Sequence, residues 1–228
     1  MPIKKGDFIR LSFTGRLADG TVFDTTDEKI AKESGIYDEE KKYKPMVVIV
    51  GSGFLVEGLE EDLIGKSEGY GGKVKVEPAK GFGERSLDAI EIVPVKKFEG
   101  KAEPGEMVEY NGRIGVIESV SGGRVKVDYN EPLAGKTLVY EYKIESVIRD
   151  RKEKIEALLH GYVSEDAEFE LKDDTIKIDV PKELAIDESW AVGKLLIARF
   201  LVNSAGMKKI VFKETFKAED FREEEEEK

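Results

Sequence analysis

The chain has 228 residues, with 48 acidic and 37 basic side chains, a net charge of -11, no cysteine and one histidine. At about 100 to 200 residues per domain, that length allows one large domain or two to three small ones. The acidic balance argues against a broad nucleic-acid surface, and the lack of cysteine excludes disulfides, thiolate metal ligands and cysteine nucleophiles. His160 is the single imidazole, so a hydrolytic triad has no second candidate base. No run approaches the ~20 apolar residues of a membrane span. The expectation is a cytoplasmic protein that meets neither nucleic acid nor membrane.

In chain order, Phe8 to Phe13 alternates apolar and polar residues, and Asp19-Gly20 supplies a turn before Val22 and Phe23, which predicts two paired strands. Thr25 with Glu28 fits a capping box ahead of a short helix that Gly35 ends. Met46 to Val50 is an apolar run suited to a buried strand, closed by Gly51-Ser52-Gly53. Leu55, Val56, Leu59 and Leu63 then recur at helical spacing, with Glu60 to Asp62 on the polar side and Gly65 as the stop. Lys73 to Glu77 alternates again.

After Pro78 come short strand candidates at 90–95, 107–110, 113–119 and 124–128, with Asn111-Gly112 as a strong hairpin signal. They read as a compact all-β insert, near the size at which isolated domains become marginal. From Leu138 the alternation resumes, with Leu138, Tyr140, Tyr142 and Ile144 on one face, and this strand is expected to return to the first sheet. A third region starts near Asp150 with a charged helix, then strands around Phe169 and at 176–180 before Pro181. Between Trp190 and Val202 ten of thirteen residues are apolar, giving a helix apolar on nearly every face: either a doubly covered core helix or an interface helix. Like charges at Glu223 to Glu227 read as a solvated tail.

Several chemical constellations fall away. Gly51-Ser52-Gly53 and Gly81-Phe82-Gly83 lack the Lys-Ser/Thr of a phosphate loop. The acidic clusters Asp38 to Glu40 and Glu60 to Asp62 read as solvated faces, and His160 as a structural or exposed residue.

The segment Phe13-Thr14-Gly15, Asp19-Gly20 and Phe23-Asp24, followed in order by Val50-Gly51, Leu55-Val56-Glu57-Gly58-Leu59, Pro78, Gly81-Phe82-Gly83 and Thr137-Leu138-Val139-Tyr140, resembles the FKBP-type peptidyl-prolyl isomerases. The insert and its return segment Asn130 to Leu138 resemble the SlyD type, and the extra C-terminal region resembles the long-type archaeal members. The resemblance implies an α+β fold. An antiparallel half-barrel sheet wraps a short helix (1–84 and 131–150), a small all-β domain is inserted at 85–130, and an α+β domain follows at 151–228. It implies an isomerase pocket lined by Phe13, Phe23, Asp24, Met46 and Leu55, with Val56, Leu59, Phe82, Leu133 and Tyr140. Asp24 would be its buried polar group. Leu59 stands where the best-known members have a Trp floor, Phe13 and Phe82 lack the usual Tyr hydroxyls, and Met46 replaces a Phe, which speaks against tight macrolide binding.

No cofactor and no metal follow from the resemblance, since the histidine-rich tail of bacterial SlyD is absent. The implied partners are unfolded or nascent polypeptides containing proline. Three functions compete: an isomerase, a holdase chaperone with little isomerase activity, and a structural adaptor. The apolar helix predicts a homodimer through the C-terminal domain, with Ala191, Gly193 and Ala198 allowing close approach and a fully intramolecular core as the alternative.

Overall fold

A computed structural model describes residues 1–98, 102–164, 166–187 and 189–218, so the acidic run at 223–227 lies outside the described residues. The first sheet is antiparallel and five-stranded. Its strands are β1 (Phe8–Leu17), β2 (Val22–Thr25), β3 (Met46–Ile49), β4 (Gly71–Val76) and β9 (Leu138–Ile148), in the order β2-β1-β9-β4 with β3 also on β1. Strand β1 organises it, pairing with β9 from Phe8↔Ile148 to Leu17↔Leu138, with β3 through its first half and with β2 through its second. The expected return of Leu138 is the β9 pairing with β1 and β4.

Period-two alternation puts Ile9, Leu11, Leu138 and Ile144 on the concave face. There they pack against Leu59 and Leu63 of helix α2 (Glu57–Leu63). Gly58 makes that close packing possible: a Cβ there would lie 2.8 Å from Val76 Cγ1 of β4. The short helix α1 (Glu28–Glu33) is capped by Asp27, whose Oδ1 accepts the Ile30 N–H at 3.0 Å. This corrects the expected Thr25 cap, because Thr25 is drawn into the sheet, its buried hydroxyl 2.8 Å from that of Thr14.

A second sheet contains β5 (Ile90–Pro94), β6 (Met107–Tyr110), β7 (Arg113–Ser121) and β8 (Arg124–Asp128), ordered β5-β8-β7-β6 and antiparallel throughout. Asn111 and Gly112 both take positive φ, 53° and 70°, as the two-residue hairpin requires. Its core is small: Val93, Ile117, Val125 and Val127. At the neck joining it to the first sheet, Ser86 N donates to Asn130 Oδ1 at 2.8 Å and Asn130 Nδ2 donates back to the Ser86 carbonyl at 2.9 Å. Arg85 bridges Asp128 and Glu118 beside them.

The third region has helices α3 (Arg151–Tyr162), α4 (Lys182–Ala185) and α5 (Trp190–Ala205) with strands β10 (Phe169–Lys172), β11 (Thr175–Val180) and β12 (Lys209–Glu214). Strand β12, which follows the positive-φ Gly206 that ends α5, pairs parallel with β11 after the α4–α5 crossover. The core of this region includes Phe8, Ile49 and Ile148, so it packs directly on the end of the first sheet. Helix α5 buries Trp190, Ile197, Leu201 and Ala205 but leaves Val192, Leu195, Leu196 and Val202 exposed. A fully intramolecular core is therefore corrected to a half-covered helix, since one small sheet covers one face. Gly193 belongs to the covered side, where a Cβ would lie 3.3 Å from Trp190 Cε3.

Candidate active site

A groove of about 570 Å³ opens on the first sheet between its concave edge and the loops before α2 and after β4. Phe13 lies on β1 and is held from both sides of its peptide: its N–H donates to Thr26 Oγ1 at 2.9 Å and its carbonyl accepts the Thr26 N–H at 2.9 Å. The tip of the Phe23 ring on β2 sits against Gly15, and any Cβ at Gly15 would come within 2.5 Å of its Cζ. The aromatic-Thr-Gly triplet thus exists to seat the Phe23 ring. Tyr140 on β9 closes the aromatic box, edge-on to Phe13 at 5.9 Å and to Phe23 at 5.7 Å between centroids.

The opposite wall comes from the loop before α2, which carries Phe54, Leu55 and Val56, and from Gly81-Phe82 after β4. That loop is anchored by Glu60, nine-tenths buried, whose Oε1 accepts the Gly53 N–H at 3.0 Å. Asp62 accepts the Tyr142 hydroxyl from β9, fixing α2 across the sheet. The Glu60–Asp62 cluster is therefore not the solvated face expected from its charge. Two of its three carboxylates brace the groove, while Glu61 is exposed and paired with Lys80, and Asp62 also faces Lys66 at the surface.

Of the ten residues expected in the pocket, eight line the groove together: Phe13, Phe23, Asp24, Met46, Leu55, Val56, Phe82 and Tyr140. Leu59 is instead wholly buried beneath it as part of the core. Leu133, half-buried on the segment returning from the insert, is not among the lining side chains. Asp24 is about 40% exposed and paired with Lys41, Nζ to Oδ1 2.5 Å, rather than buried. It sits at the groove mouth because β2 ends one residue later. Lys41 and Phe54 were not singled out from the sequence; both lie on loops, where no periodicity marks which side chain turns inward.

Burial, with the nearby negative charge of Asp24, pushes the Tyr140 phenol up to about 12. The hydroxyl therefore stays protonated, and among the described residues no group takes its hydrogen bond. The groove thus offers an aromatic, largely apolar cavity with one neutral phenol donor and two carboxylates, Asp24 paired with Lys41 and Glu57 at the start of α2.

Residues 1–103 match the family described as FKBP-type peptidyl-prolyl cis-trans isomerase. The short-type peptidyl-prolyl cis-trans isomerase of Methanocaldococcus jannaschii is 38% identical over 148 residues, 64% of this chain and 94% of its own. The FKBP-type isomerase SlyD of Aeromonas hydrophila is 34% identical over 161 residues, 68% of each chain. The chain belongs to the FKBP-type peptidyl-prolyl cis-trans isomerases. Residues 91–133 of this isomerase match the family described as FKBP26, IF domain, and residues 151–217 the one described as FKBP26 C-terminal. The 16 kDa FKBP-type isomerase of Escherichia coli (strain K12) is 28% identical over 149 residues, 62% of this chain and 91% of its own. Among the described residues no helix is long and apolar enough to cross a membrane.

Proposed function

We propose that this isomerase rotates X-Pro bonds of unfolded chains in the groove of Phe13, Phe23, Asp24, Met46, Leu55, Val56, Phe82 and Tyr140, over a floor set by Leu59. The observation that carries this reading is the aromatic box itself, a largely apolar cavity with one unengaged phenol. The rotation barrier of about 18–20 kcal/mol arises from amide resonance, which also makes the planar bond polar. A twisted amide is less polar, so exchanging water for aromatic walls favours it over the planar ground state, and this difference is catalysis without a covalent step. The Tyr140 hydroxyl is placed to donate to a substrate carbonyl, supplying the hydroxyl that Phe13 and Phe82 lack. Asp24, tethered by Lys41, orients the peptide at the mouth.

The division into 1–84 with 131–150, 85–130 and 151–228 follows the crossing hydrogen bonds at Ser86–Asn130 and the start of α3 after Asp150. In this reading the insert holds clients, since Leu87, Ile92, Met107 and Ile114 are between 63% and 79% exposed. The same exposure favours the second reading, a holdase with an idle groove. The apolar face of α5 pairs two copies of the chain, and a cytoplasmic location fits a chain without cysteine.

An isomerisation assay on a proline tetrapeptide and on an unfolded protein tests the reading. A folded Phe23→Ala variant is expected to lose tetrapeptide activity, and wild-type activity in it rejects the site. No tetrapeptide turnover in the native chain, with aggregation still suppressed, would favour the holdase. A full-length monomer in sedimentation at micromolar concentration would reject the dimer.

A further inference from the structure

The groove of the isomerase does not end at the aromatic box. Phe13, Asp24, Met46 and Phe54 also line a second groove, about 590 Å³, that runs between β1, β3 and the C-terminal half of α3. Its floor is apolar, with Phe8, Ile49 and Leu158 buried and Val47, Ala157 and Tyr162 partly so. Met46 and Phe54, each 37% exposed, stand on the boundary between the two grooves. Phe54 ties the boundary to the third region, its ring 4.8 Å from that of Tyr162 and 6.3 Å from that of Phe200.

Each groove alone has the volume of a small-ligand site, about 300–1,000 Å³. An X-Pro pair fills only the first. A polypeptide bound there must continue past it, and an extended chain advances about 3.3 Å per residue, so its next few residues meet the second groove. We propose that this second groove is a subsite for the client polypeptide, taking one apolar, preferably aromatic, side chain a few residues from the proline, with α3 as its far wall. The placement of the proline rests on the isomerase reading above. The occupant is the client because the two grooves share four side chains, Phe13, Asp24, Met46 and Phe54, so that a chain held in the first leads into the second, past a rim that also carries Arg10 and Lys41.

Gly161 gives a clean way to fill the subsite. It lines the second groove on α3, and a Cβ there meets nothing within 4 Å. Its φ is not positive, so Gly161→Phe adds bulk to open space without backbone strain. The full chain and this variant, with Gly161→Leu as a smaller plug, are assayed on a tetrapeptide and on the same peptide lengthened by five residues carrying one Phe, on either side of the proline. A Ser replaces the Phe in control peptides.

One of the two Phe extensions is expected to raise kcat/KM about tenfold over its Ser control, in line with partial burial of a Phe ring. Gly161→Phe should abolish that gain and leave tetrapeptide turnover within about twofold of the native chain. Equal rates with Phe and Ser extensions on both sides would overturn the proposal, as would equal loss on tetrapeptide and extended peptide in a variant with native thermal stability. A gain that appears only after removal of residues 219–228 would assign the groove to the chain's own acidic end and likewise overturn it. Fluorescence anisotropy of the labelled Phe-extended peptide separates the two readings. If the native chain turns over no tetrapeptide, the isomerase reading fails, and weaker peptide binding by Gly161→Phe still decides for the subsite while unchanged binding decides against it.

Discussion

The two antiparallel sheets of this isomerase use the same local code and reach different states. In the first, the N-terminal half of β9 alternates buried and exposed residues, β1 exposes none of its residues, and helix α2 covers the concave face, so that Ile9, Leu11, Leu59, Leu63, Leu138 and Ile144 lose contact with water entirely. In the inserted sheet the buried positions also recur along the strands, yet among the described residues no α-helix covers it, only a short turn carrying Val95 and Phe98. Its core shrinks to Val93, Ile117, Val125 and Val127, while Ile92, Met107 and Ile114 stay exposed. Alternation decides that a strand forms and which way it faces, whereas a covering element decides how much of that face leaves water. The covered sheet is suited to hold a rigid aromatic box; the uncovered one leaves apolar side chains in water.

The sharpest break of this comparison is a pair of core truncations. Leu59→Ala is expected to cost about 2–5 kcal/mol in denaturant unfolding and to lower activity by loosening the groove floor. Val125→Ala should cost about 1–3 kcal/mol within the insert and leave tetrapeptide turnover unchanged. If Val125→Ala unfolds the first sheet as deeply as Leu59→Ala, the two sheets are one cooperative unit and the comparison fails.

Next in size is exchange of residues 85–130 for a short flap. Tetrapeptide activity should stay within about twofold, while catalysis of protein refolding falls about tenfold, the loss expected when a client-holding surface is removed from beside the active groove. Equal loss on both substrates would make the insert part of the catalytic core.

Smaller effects sharpen the roles inside the groove. Tyr140→Phe keeps the ring box and removes the donor, so kcat is expected to fall several-fold, with about 0.5–1.5 kcal/mol for one neutral hydrogen bond. An unchanged kcat would leave the box acting by desolvation alone. The smallest effect is alkaline. Tyr140, Tyr142 and Tyr162 have phenols raised first of all by burial, to about 12 for Tyr140. Their folded-state pKa values exceed the ordinary value of about 10, so the stability they contribute is complete below pH 10 and is lost as pH rises through the folded values. Thermal melts of Tyr140→Phe should therefore show a shallower fall above pH 10 than the native chain; parallel falls would remove the phenol as the cause.

Much of this was legible in the residues, because the signals were local. The alternation at Phe8–Phe13 and Leu138–Ile144, the Asn111-Gly112 turn and the Leu59/Leu63 spacing each state a backbone preference and a buried face within a few residues, and the observed elements follow them. The ordered family motif then brought eight groove-lining side chains to their places. What the sequence alone determined is thus which segments pair or coil and which face turns inward.

Tertiary structure decided the rest, for reasons of distance along the chain. Glu60 and Asp62 read as surface charge until the Gly53 N–H and the Tyr142 hydroxyl arrive to donate hydrogen bonds to them. Asp24 reads as a buried acid until Lys41, seventeen positions away, meets it at the groove mouth. Strand β12 carries the β-prone Ile210, Val211 and Phe212, but its parallel place beside β11 is set by the α4–α5 crossover that returns the chain there. The second groove has no motif at all. It is the space left where α3 packs against β1 and β3, and packing between elements far apart in sequence follows from shape and burial, which no short run of residues encodes.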